Sequence, residues 1–69
     1  MYVEVGDIEI GTLFTLNGSV YEKSATCCGR DSNHGDKPTV GCYPKLGGKI
    51  QRNRKFHQMI PTDTQVSVI

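Results

Sequence analysis

The sequence predicts a single all-β domain built as a small barrel of five or six short strands, with a long loop after its N-terminal hairpin. Three observations carry this. No segment of the 69 residues repeats apolar side chains at the 3.6-residue period of a helix. Two β-prone runs meet at Asn17-Gly18, the pair that supplies positive φ at both centres of a type I′ hairpin turn. The remaining apolar runs are short and separated by turn formers, and closing such strands on themselves removes exposed edges from a small all-β chain.

The elements follow in order. Val3, Val5, Ile8 and Ile10 are interrupted by Gly6-Asp7 and closed by Gly11, which reads as a short strand, a turn and a lead-in. The hairpin follows, over residues 12–16 and 19–24. Residues 26–38 lack apolar periodicity and are rich in Gly, Asp, Asn and Ser, the composition of a long loop, and loops of that kind commonly carry function. Residues 39–43 read as a strand, 44–48 as a turn and 49–52 as a weak strand. Residues 54–60 alternate, with Phe56, Gln58 and Ile60 on one face and Lys55, His57 and Met59 on the other. A corner at 61–64 leads to a closing strand with Val66 and Val68 inward.

One domain spans residues 1–69, and a chain of this length buries only about 60% of the surface its unfolded form exposes. The core is therefore small. No run approaches the roughly 18 apolar residues of a membrane span, and Glu4, Asp7 and Glu9 near the start oppose a signal peptide, so a cytosolic, non-membrane protein is expected. Three cysteines without a secretory signal point to reduced thiols.

Charge is distributed unevenly although the net is only +1. All eight basic residues fall within 23–57, beside only Asp31 and Asp36, so that segment carries +6; residues 1–22 hold Glu4, Asp7, Glu9 and Glu22 and no base, which is −4. Such asymmetry suggests an electrostatic face for an anion. The candidate ligand-binding residues are Arg30, Tyr43, Lys45, Lys49, Arg52, Arg54, Lys55 and His57. Guanidinium forks and ammonium groups suit phosphate, and the rings suit bases. The plainer reading of Arg52 to Lys55 is a solvated turn, with Tyr43 and Phe56 in the core.

Other chemistries are less well supplied. A zinc site is the alternative for Cys27, Cys28, His34 and Cys42, but adjacent Cys27 and Cys28 point to opposite sides of an extended chain instead of forming a C-x₂₋₄-C knuckle. Free cysteines are more often small core residues. No nucleophile motif, paired carboxylates or phosphate loop is present; Gly47-Gly48-Lys49 lacks the upstream glycine and the hydroxyl residue of that loop. A binding protein without cofactor is expected, not an enzyme.

Gly6-Asp7 followed by Gly11-Thr12-Leu13-Phe14-Thr15-Leu16-Asn17-Gly18-Ser19-Val20-Tyr21-Glu22-Lys23, and the ending Ile60-Pro61-Thr62-Asp63-Thr64-Gln65-Val66, resemble the opening and closing patterns of small uncharacterised tailed-bacteriophage accessory proteins with an SH3-like β-barrel. The resemblance covers both ends, about half the chain, and excludes residues 26–57. It implies a viral protein of the host cytosol, in a class that includes anti-defence proteins that capture nucleotide signals, inhibitors of host proteins and nucleic-acid binders. The expected partners are thus a phosphate-bearing ligand, nucleotide or nucleic acid, or else an acidic host protein; a small structural component is the third reading. A homo-oligomer is also expected, in which residues 4–22 of one copy meet the basic segment of another.

Overall fold

The computed structural model of the chain describes residues 2–25, 30–31 and 35–69. Its strands are β1 (Tyr2–Glu4), β2 (Leu13–Leu16), β3 (Ser19–Ala25), β4 (Arg30–Asp31), β5 (Lys37–Leu46), β6 (Lys49–Ile50), β7 (Gln58–Pro61) and β8 (Gln65–Val68). Short 3-10 turns cover Val5–Asp7 and Arg54–Phe56, and no α-helix occurs among the described residues. Six strands have three residues or more; β4 and β6 have two.

The β2–β3 hairpin forms as expected. Asn17 at φ 53° and Gly18 at φ 81° make the turn, and Phe14 stands opposite Tyr21 with their rings stacked 5.7 Å apart. A second turn of the same backbone type, Gly47 at 59° and Gly48 at 81°, joins β5 to β6. The glycine pair alone makes that turn, so β5 runs on through Pro44 to Leu46, and the turn expected over 44–48 is confined to two residues. Pro44 lies opposite Tyr21, and its carbonyl accepts from the Gln51 N–H at 2.9 Å.

All ladders are antiparallel, in the order β1-β8-β2-β3-β5-β4, with β6 and β7 also on β5. The centre of β5 therefore has a strand along each edge, β3 at Gly41–Pro44 and β7 at Thr39–Cys42, and residues 39–42 are all buried. Val5, Phe14, Val40, Cys42 and Val66 make the core, with Val3, Ile8, Leu16, Tyr21 and Ile60 against it. Those residues come from both ends of the sheet, so the sheet curls around them.

Closure is incomplete. No ladder joins β1 to β7 among the described residues, and the sheet stays open. Val5 N–H to the Thr64 carbonyl at 2.9 Å continues the β1–β8 pairing, Thr62 N–H to the Pro38 carbonyl at 3.0 Å continues the β5–β7 pairing, and Gly6 N–H reaches the Thr62 carbonyl of the β7–β8 corner at 2.9 Å. Gly6 is required by this approach, since a Cβ there would sit 3.0 Å from both Cβ and the carbonyl oxygen of Thr62.

Three further expectations are corrected. The strand read over 54–60 begins only at Gln58; Asn53 accepts the Lys55 N–H on its side chain at 3.1 Å and the Phe56 N–H on its carbonyl at 2.8 Å, folding 54–56 into a turn. Val68 keeps the inward parity of Val66 and stands opposite Phe14, but it is 45% exposed. The loop read over 26–38 contains β4, paired with the first residues of β5. Residues 26–29 and 32–34 lie outside the described residues.

Candidate functional site

The β3–β5 ladder has two faces, and period-2 alternation assigns its polar residues between them. Lys23 stands opposite Cys42 and shares the inner face with Tyr21 and Phe14. Glu22 stands opposite Tyr43 and shares the outer face with Ser24 and Lys45. Residues 49–57 fold back over this outer face, held at one end by Gln51, whose side chain donates to the Leu46 carbonyl at 3.1 Å, and at the other by His57. His57 Nε2 is 3.1 Å from Ser24 Oγ, and its ring meets that of Tyr43 edge-on, centroids 5.0 Å apart.

Of the candidate residues, Arg52 is committed elsewhere. Its guanidinium donates from Nε and one terminal nitrogen to the two oxygens of Glu22 at 2.8 and 2.7 Å, a bidentate fork. The hydrogen bonds from Arg52 hold the Glu22 carboxyl below its ordinary value of 4.5, and Glu22 in turn raises the guanidinium. Lys37 is paired too, with Asp63 at 3.1 Å. Lys23 faces inward.

Lys45, Lys49, Arg54 and Lys55 remain. All are exposed, and none takes part in an ion pair among the described residues. Lys45 and Lys49 lie on the β5–β6 hairpin beside the Gly47-Gly48 tip, and Arg54 and Lys55 lie on the 3-10 turn, where Lys55 Nζ sits 5.1 Å from the Phe56 ring centre. The hairpin and the turn follow one another in the chain, with Lys45 and Lys49 on opposite faces of the β5–β6 hairpin. The described residues form no pocket. Point charges on flexible stems with a single guanidinium suit a phosphate backbone approached from outside.

Tyr43 and His57 are half-buried and in contact with each other, which makes them the anchor of the returning segment. Arg30 lies on β4. Cys42 is a buried core residue packed among Val5, Phe14, Val40 and Val66. Cys27, Cys28 and His34 are outside the described residues, and no group of three metal-ligating side chains occurs among those described. No described helix is long and apolar enough to cross a membrane.

The sequence reading missed Glu22 and Ser24, which position Arg52 and His57. Their signal is available only in part: the hairpin register puts both on one face, but which residues return over that face is decided by β5. Compared with protein-family models, curated proteins and solved structures, the chain matches none.

Proposed function

We propose that this chain is an accessory binding protein that captures a phosphate-bearing ligand with the cations of the β5–β6 hairpin and the second 3-10 turn. The observation that carries this reading is the group of four exposed cations, Lys45, Lys49, Arg54 and Lys55, without ion-pair partners among the described residues, while Arg52 beside them in the chain, and Lys37 at the other end of β5, are paired. Exposed cations favour the extended backbone of a nucleic acid over an engulfed nucleotide. The resemblance of both chain ends to tailed-phage proteins supports an accessory, host-directed role, with ligand capture as an anti-defence activity. The bonds spanning β1 and the β7–β8 corner support a partly open, SH3-like barrel as the finer description of the curled sheet.

The test is fluorescence anisotropy with a labelled single-stranded oligonucleotide, repeated with a mononucleotide. Four phosphate contacts give a slope of log K against log salt of about −3 for a single strand. The variant Lys45→Ala/Lys49→Ala/Arg54→Ala/Lys55→Ala loses that binding and keeps its circular dichroism spectrum. Unchanged affinity in the folded quadruple variant overturns the reading. Tighter, salt-insensitive capture of the mononucleotide assigns the function to a nucleotide instead.

A further inference from the structure

The chain has two Phe and three Tyr rings. Phe14 is in the core with Tyr21 stacked against it, and Tyr43 is engaged by His57. Tyr2 lies on β1, a strand without a cation. Phe56 differs from these four. It is half-buried, yet among the described residues it is neither in the core cluster nor one of the apolar side chains packed against it. The ring expected in the core thus stands outside it, directly after the exposed cations Arg54 and Lys55.

The backbone around Phe56 is fixed on both sides. Asn53 accepts the Lys55 N–H on its side chain and the Phe56 N–H on its carbonyl, and His57 is held by Ser24 and Tyr43. A ring positioned in this way loses little conformational freedom when a ligand covers it. Lys55 Nζ lies over the ring, 5.1 Å from its centre, and Lys55 is exposed, so that ring face lies at the surface. A cation over a ring at an exposed site is worth about 2- to 5-fold in an equilibrium constant, and a base stacked on a protein ring about 5- to 100-fold. The base therefore displaces the ammonium, which is released to a neighbouring phosphate, with the Arg54 guanidinium beside it for another.

We infer that Phe56 is a stacking platform for one unpaired base, which makes the ligand a single-stranded nucleic acid. The inference rests on the proposed capture of phosphate and adds the contact that reads the base. Inside a duplex each base shows only its edge in the grooves, and its faces are covered by its neighbours in the stack. A protein ring reaches a base face only where the strand is unpaired. Such a contact is indifferent to sequence, because every base has a π face.

The test is a cycle of four anisotropy titrations: wild type and Phe56→Leu, each against a labelled thymidine oligonucleotide and an abasic strand of the same length. Leucine keeps an apolar side chain in the turn and removes the ring. Wild type binds the thymidine strand about 5- to 100-fold more tightly than the abasic one. Phe56→Leu binds both strands as wild type binds the abasic strand, and the slope of log K against log salt is the same throughout, since the phosphate contacts are kept. Phe56→Trp, which restores a ring, retains the preference for thymidine. Equal binding of the two strands by wild type overturns the inference and leaves phosphate capture standing. A Phe56→Leu variant that prefers the thymidine strand as strongly as wild type does overturns it too, because the base is then held elsewhere. Wild type that binds neither strand overturns the phosphate reading and the inference with it.

Discussion

The two faces of the β3–β5 ladder use positive charge in opposite ways. On the inner face Lys23 is 1% exposed, and its ammonium group donates to the carbonyls of Val5, Gly6 and Ile8 at 3.0, 3.4 and 2.5 Å. An ammonium has three donors and no acceptor, and three carbonyls of the first 3-10 turn and its exit occupy them. Lys23 thereby ties the segment that closes one side of the core to the hairpin, and no buried side-chain polar atom among the described residues lacks a partner. On the outer face Arg52 spends its fork on Glu22, and elsewhere on the surface Lys45, Lys49, Arg54 and Lys55 are exposed. Apart from Arg30 on β4, the eight bases of that stretch thus divide into one cation that builds the fold, two that are paired on the surface, and four that are available. A run of bases becomes a binding face only after the committed members are subtracted.

That contrast makes graded predictions. Lys23→Met has the largest effect: it removes the ammonium and leaves buried or half-buried carbonyls of the 3-10 segment without donors, a loss of about 3 kcal/mol or more in urea unfolding. A loss below about 1 kcal/mol breaks the comparison, because Lys23 is then as dispensable as a surface base.

Arg52→Ala comes next and its effect depends on pH. Glu22 is held below 4.5 in the folded protein, chiefly by its hydrogen bonds from Arg52, so the pair stabilises the fold above that ordinary value and the contribution is lost as pH falls through the lowered one. Unfolding midpoints of wild type and Arg52→Ala therefore differ at neutral pH and converge in acid; a gap that persists in acid means that the guanidinium acts through packing instead. Anion capture survives in this variant, in contrast to the loss in the four-cation variant.

The smallest effect on stability belongs to Lys45→Ala/Lys49→Ala, which changes the free energy of unfolding by no more than about 0.5 kcal/mol, the usual range for uncommitted surface residues. A larger loss in thermal or urea melts places these lysines in the fold and withdraws them from the binding surface.

The fold was legible in the sequence wherever a local signal is also a structural necessity. Asn17-Gly18 dictates a type I′ turn and hence the β2–β3 register, and Gly47-Gly48 carries the same signal, although Pro44 obscured it by suggesting an earlier turn. The alternation at 54–60 misled because its first residues are held by Asn53 capping, a local bond that competes with extension and leaves no periodic trace. Of the candidate site, Lys45, Lys49, Arg54 and Lys55 emerge as exposed and unpaired among the described residues, whereas Arg52 is paired, Tyr43 and His57 anchor each other, and Cys42 is core.

By itself the sequence determined an all-β chain, its first hairpin and the concentration of charge in one segment, because turn chemistry and period-2 patterning act over a few residues. Only the tertiary structure decided which cations are free. Lys23 meets its carbonyls across 15 to 18 residues and Arg52 meets Glu22 across 30, and such pairings follow from how β5 and the segment after it pack on the hairpin.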